Sequence, residues 1–129
     1  MDEPGHSPHS AFKSRSGWAR IVRAAGYSWA GLRAAVRHEA AFRQELALGL
    51  PALVLAWWLA PGRWQALALT ASVLLVWVVE LLNSAIEALA DAVSVQAHPL
   101  LGRAKDLGSA AVMLSLGGAV LTWVVVFWP

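Results

Sequence analysis

The chain has 129 residues, 58% of them hydrophobic and 14% charged, with eight tryptophans, no cysteine and a formal net charge of +2. That length accommodates one domain, and that composition belongs in a bilayer rather than in water. Without cysteine, disulfides, thiolate zinc sites and thiol catalysis are excluded.

Seven of the ten Lys and Arg residues (Lys13, Arg15, Arg20, Arg23, Arg33, Arg37 and Arg43) precede the first strong apolar run. Beside membrane spans such a cluster reads as a cytoplasmic, positive-inside flank rather than a phosphate footprint, so no nucleic-acid partner is expected. The first hydrophobic run begins too late for a secretory signal, and the spans are expected to stay in the mature protein.

Residues 1–16 are rich in Ser, His, Pro and Gly, lack an apolar period and are expected to be a disordered tail. From Trp18 to His38 the apolar residues Trp18, Ile21, Val22, Ala25, Trp29, Leu32 and Val36 recur at helical spacing with arginines largely off the stripe, which predicts a basic amphipathic helix on the membrane surface. The Gly26 to Gly31 portion is a place for a bend or break.

A first span is expected at about residues 41–60, although Pro51 lies inside it and Arg43, Gln44 and Glu45 near its start. Pro61-Gly62-Arg63 then forms a short external turn. A second span covers about 65–86, the ~20 residues that cross a ~30 Å hydrocarbon core. Residues 90–108 read as a polar cytoplasmic connection, and a third span covers about 109–128. The expected fold is therefore an all-α integral membrane protein with an N-terminal amphipathic surface helix and three transmembrane helices. Its N-terminus lies inside and its C-terminus outside.

One stretch is polar where the spans have no structural use for polarity. Glu80, Asn83 and Glu87 are spaced to share one helical face at the inner end of the second span. An ionisable side chain at membrane depth costs roughly 2.5–3.5 kcal/mol on insertion scales and usually faces a protein interior, a cavity or an ion. On this topology Glu39, Glu80, Glu87, Lys105 and Asp106 all fall at the cytoplasmic level. Taken singly, Glu39 and Asp106 are also ordinary boundary charges, His98 a loop residue and Lys105 a positive-inside anchor; the signal is the set. Carboxylates from two helices at one depth suit a hard divalent cation, because Mg²⁺ takes one or two carboxylates and completes its shell with phosphates and water. With a lysine beside them the expected chemistry is phosphoryl transfer. Neither a P-loop nor a protein-kinase glycine loop is present.

The segments Arg-Ala-Ala-Gly-Tyr-Ser-Trp (23–29), Gly-Leu-Arg-Ala-Ala (31–35), Glu-Ala-Ala-Phe-Arg-Gln-Glu (39–45), Val-Glu-Leu-Leu-Asn-Ser-Ala-Ile-Glu-Ala (79–88) and Gly-Arg-Ala-Lys-Asp-Leu-Gly-Ser-Ala-Ala-Val (102–112) closely resemble the prokaryotic diacylglycerol kinase family, in its Gram-negative branch. The resemblance covers about residues 17–128, in order and with the family's spacing. It implies a membrane domain over 17–129 and a homotrimeric inner-membrane enzyme that moves the γ-phosphoryl group of MgATP onto diacylglycerol, giving phosphatidic acid in phospholipid recycling. By matching position it implies Glu80 as general base with Asn83 beside it, and Glu39 and Glu87 as magnesium ligands. It puts Lys105 and Asp106 at the nucleotide, with Arg20, Tyr27, Gln96 and His98 near it. Arg20, Arg33, Glu45, Glu80 and Ser109 would meet the lipid. Gln96-Ala97-His98-Pro99-Leu100 departs from a more acidic stretch common in the family, and Ala30 stands where a lysine is frequent. Two alternatives stay open: a kinase for undecaprenol or another lipid alcohol, and a small non-enzymatic membrane assembly protein.

Overall fold

The computed structural model describes residues 9–129, with side chains from Gly17 onward. Residues 1–8, the first part of the expected tail, lie outside the described residues. Four helices follow one another: α1 (His9–His38), α2 (Ala40–Leu59), α3 (Arg63–Val93) and α4 (Pro99–Phe127). The described residues up to Ala34 form one compact unit and Ala35–Pro129 a second.

Within the first unit, α1 begins nine residues ahead of Trp18 and runs unbroken through Gly26 and Gly31, so the glycines make no interruption. Its apolar stripe is open: Trp18, Ile21, Val22 and Trp29 are all exposed. Ser28 Oγ donates to Ala24 O, four residues back, and the Arg33 guanidinium stands 5.9 Å from the Trp29 ring centroid.

In the second unit α3 is the middle helix, packed on α2 on one side and α4 on the other. Its buried residues Ala66, Leu69, Val73, Val76, Glu80, Asn83 and Ala90 recur in a three–four rhythm, the seam of a helix wedged between neighbours. Small residues let the helices approach. A Cβ built on Gly49 of α2 would lie 2.6 Å from Trp77 Cζ2 and 2.9 Å from Val73 Cγ1, and the Trp77 ring cannot swing freely because its Nε1 donates to Glu45 O at 3.1 Å. Gly49→Ala is therefore expected to lower the thermal midpoint in detergent. Overpacking costs about 1–3 kcal/mol, which outweighs the ~1 kcal/mol that alanine gains in helix propensity.

One of the two connections in the second unit is shorter than the sequence predicts. Between α2 and α3 only Ala60, Pro61 and Gly62 are non-helical, as expected, but the polar connection after α3 shrinks to Ser94–His98. The physical reason lies in two helix signals. The alanine-rich segment Ala88–Ala92 prolongs α3. His98 then serves as N-cap of α4, its Nδ1 accepting from Leu100 N at 3.2 Å, with Pro99 at the first helical position. Consequently Glu87, Asp91, Lys105 and Asp106 all stand on regular helix rather than on loop.

Among the described residues, α3 and α4 are the two helices long and apolar enough to cross a membrane. At 31 residues α3 is about 46 Å long, roughly 16 Å more than a hydrocarbon core, so a few turns extend beyond it. α2, with 20 residues, carries Arg43, Gln44 and Glu45 in its first turns and Pro51 at mid-length. Large apolar side chains cover the outside of the second unit: Leu48, Trp58, Trp64, Leu114 and Val125 are all exposed. A continuous apolar exterior of this kind is suited to lipid or to other chains rather than to water.

Candidate functional site

The buried stripe of α3 changes chemistry partway along. Four apolar residues, Ala66, Leu69, Val73 and Val76, are followed in the same rhythm by Glu80 at 5% exposure and Asn83 at 9%. One further step brings Glu87, which is exposed at the surface. Sequence spacing thus fixed a shared face, and packing against α2 and α4 splits that face into a buried carboxylate and an accessible one.

Asn83 joins the two ends. Its Nδ2 donates to Glu87 Oε1 at 3.1 Å, while its Oδ1 is buried with no partner. The buried hydroxyl of Ser115 contrasts with it, donating to Val112 O of its own helix at 2.8 Å. Across from Asn83, Gly108 of α4 comes so close that a Cβ there would strike the Asn83 Oδ1 atom. The amide side chain is therefore clamped between a glycine backbone and a carboxylate.

Two more carboxylates, Glu39 and Glu45, complete the cluster. The charges of Glu87 and Glu39 both bear on Glu80, and the charge of Glu80 bears on Glu45. Glu39 is the N-cap residue of α2, with extended backbone, yet its carboxylate makes no capping hydrogen bond and so is not consumed by the helix end. Glu45 has a buried Oε2 without a partner. No Lys or Arg forms a salt bridge with Glu39, Glu45, Glu80 or Glu87 among the described residues. Arg43, which lies between Glu39 and Glu45 in sequence, is occupied elsewhere, its guanidinium donating to the carbonyls of Val36 and Arg37 at 3.0 and 3.2 Å.

Beyond Glu87, α3, the Ser94–His98 turn and α4 enclose an open cleft of about 590 Å³, lined by Asp91, Gln96, His98 and Lys105 with Val95 and Leu101. Lys105 Nζ donates to Asp91 Oδ1 at 2.6 Å. That hydrogen bond first, and the carboxylate charge with it, hold the Lys105 ammonium above the usual lysine range, so it stays charged at physiological pH.

The structure thus brings together Glu39, Glu45, Glu80, Asn83 and Glu87 in one group, and Gln96, His98 and Lys105 in the adjoining cleft. Asp106 and Ser109 are exposed on α4 outside that lining, and Arg20, Tyr27 and Arg33 lie on α1 in the first unit. Sequence reading had passed over Asp91 and Gly108. Asp91 stands four residues beyond Glu87, in helical register with it. Among the described residues no three of His, Asp and Glu close on a single point as a metal cage would require.

A helical protein with an apolar exterior, whose central helix carries a buried carboxylate toward an acidic, cleft-bearing end, is a membrane protein with a polar site built into its helix packing. Comparison with known proteins gives the finer assignment. The family described as prokaryotic diacylglycerol kinase matches residues 26–127, and this chain belongs to that family. The chain is 52% identical over 113 residues to the diacylglycerol kinase of Escherichia coli strain K12, covering 88% of this chain and 93% of that protein. It is 47% identical over 114 residues to the diacylglycerol kinase of Pseudomonas aeruginosa, with the same coverage, and 37% identical over 108 residues to that of Haemophilus influenzae, covering 84% and 92%.

Proposed function

We propose that this protein is an ATP-dependent diacylglycerol kinase of the bacterial inner membrane, working at the cytoplasmic face. α2 is its third crossing, beside α3 and α4, with α1 on the membrane surface. The N-terminus is cytoplasmic, and three copies form a trimer that shares its sites. The observation that carries this reading is the divided face of α3: Glu80 buried among apolar residues where a lipid headgroup arrives, and Glu87 exposed beside a cleft where a water-soluble nucleotide arrives.

The donor set fits magnesium. Among the described residues Glu39 and Glu87 form no salt bridge and offer oxygen ligands from two helices, and with no third carboxylate closing on them the remaining positions would fall to phosphate oxygens and water, the usual manner of Mg²⁺. When bound, the ion would screen the phosphate charges and hold the β- and γ-phosphates in line. The chain's own residues do the rest. Lys105 meets the phosphates from the cleft wall, with Asp106, Gln96, His98, Arg20 and Tyr27 toward the nucleoside side. Arg33, Glu45 and Ser109 line the lipid's approach. As the diacylglycerol hydroxyl oxygen attacks the γ-phosphorus, Glu80 accepts its proton, the bond from γ-phosphorus to the bridging oxygen breaks, and ADP departs. Asn83 keeps Glu87 oriented while this happens.

Labelled MgATP supplied to the purified protein in mixed micelles with diacylglycerol, undecaprenol or ceramide tests the reading. Label should pass to diacylglycerol; transfer to undecaprenol alone would assign the polyprenol alternative, and no transfer would favour an assembly protein. Removing one ligand charge makes a sharper demand. Glu87→Gln is expected to move the magnesium titration of transfer to concentrations roughly 10–100-fold higher while the protein stays folded. An unchanged titration would count against Glu87 as a ligand.

A further inference from the structure

Asp91 lines the α3–α4 cleft yet has no part in the transfer chemistry above. It stands one helical turn beyond Glu87 on α3, and its Oδ1 reaches across the turn to Lys105 Nζ on α4 at 2.6 Å. Lys105 also lies within electrostatic reach of Glu87. One ammonium therefore has two carboxylates to choose between, a turn apart on the same helix, and it is bonded to the outer one. Glu87 meanwhile is held from its other side by Asn83 Nδ2. The cation and the inner carboxylate are anchored separately.

The pair is too exposed to matter much for stability: the two side chains are 43% and 63% accessible, and surface ion pairs of this kind contribute little. Its consequence lies in placement. A lysine has four rotatable bonds and three donors, and an unrestrained one beside Glu87 would fold onto that carboxylate and neutralise it. Holding it in advance also removes part of the ordering cost when an anion binds.

Resting on the reading of this cleft as the nucleotide site, we propose that Asp91 is a positioning residue. It holds the Lys105 ammonium over the cleft and off Glu87, leaving the Glu87 carboxylate open to a divalent cation and leaving two of the lysine's donors for the phosphates. Asp91 itself touches neither substrate.

The test uses the intact protein in detergent, with binding of a non-hydrolysable MgATP analogue and magnesium titration of transfer as separate readouts. Asp91→Ala should weaken analogue binding and raise the half-saturating magnesium concentration, each roughly 10-fold, with kcat at saturation changed much less. Asp91→Glu should recover a large part of both. In a Lys105→Ala background, Asp91→Ala should add less than about twofold, because a residue that acts through the lysine has nothing left to act on. If Asp91→Ala fails to fold, Asp91→Asn, which keeps shape and acceptor but not charge, carries the same comparison. A lowered thermal midpoint with unchanged magnesium and analogue curves overturns the proposal and makes the pair a simple staple across the turn. A full effect persisting in the Lys105→Ala background overturns it as well. A wild-type protein that binds the analogue but phosphorylates no lipid alcohol refutes the kinase reading, and the binding arms still decide the role of Asp91.

Discussion

Glu80→Gln is expected to lower phosphoryl transfer to diacylglycerol by about 10²–10⁴-fold, the range contributed by a positioned general base, while binding of MgATP and the folded state persist. The substitution is nearly isosteric, so the buried stripe of α3 keeps its volume, and only the capacity to take up the hydroxyl proton is removed. The fold has reason to tolerate it. Glu80 is buried near the like charges of Glu87, Glu39 and Glu45 with no salt-bridge partner among the described residues, so neutralising it relieves desolvation and repulsion rather than breaking a pair. The thermal midpoint should therefore hold or rise while turnover collapses. Labelled transfer, equilibrium binding of an ATP analogue and a melting curve on the same preparation separate the two effects. Transfer within tenfold of wild type would remove Glu80 from the role of base; a collapse of all three would make it a structural residue.

A polar side chain that is costly at membrane depth is what made α3 legible from the sequence. A three–four–seven spacing of two carboxylates and an amide at the end of an apolar run has few structural uses, and the helix that carries it appears with its apolar stripe continuing directly into Glu80 and Asn83. The helical stretch 18–38 likewise lies within α1, and α2 ends within one residue of the expected position. The polar stretch after α3 was not legible in the same way. Charged and small polar residues between Ala90 and Gly108 were read as loop, although nothing in them breaks a helix except the segment around Ser94 and Pro99. His98-Pro99 is a helix start, a cap followed by proline at the first position, and weighing it as such would have shortened the connection to its real length.

Tertiary neighbours were harder still. Periodicity assigns a face to each helix but says nothing of which face meets which. That Trp77 bonds Glu45, that Lys105 reaches Asp91 rather than Glu87, and that Asn83 lies against Gly108 are facts of packing between helices. These contacts decide which polar groups are occupied and which are left for a ligand. Arg43 illustrates the point: in sequence it is a cation between Glu39 and Glu45, but its guanidinium bonds the last carbonyls of α1 and forms no salt bridge with either carboxylate.

Gly108 carries the second large expectation. Gly108→Ala puts a methyl group where Asn83 Oδ1 already sits, in a place where neither partner can retreat cheaply: one is helix backbone, the other a buried side chain tied to Glu87. Either α4 moves away from α3, at an overpacking cost of about 1–3 kcal/mol, or Asn83 rotates and releases Glu87. Both outcomes disorder the carboxylate that faces the cleft. Loss of an outer support of this kind typically costs 10–100-fold in metal affinity or activity, and transfer at fixed magnesium should fall by that factor, with part of it recovered by raising magnesium. The partial recovery distinguishes this substitution from Glu80→Gln, where no magnesium concentration restores a missing base. Asn83→Ala combined with Gly108→Ala supplies the control. With the amide gone the methyl has room, so the double variant should melt at a higher temperature than Gly108→Ala alone while remaining poor in transfer. If the single variant melts and transfers like the wild type, the close approach of Gly108 to Asn83 has no part in holding Glu87.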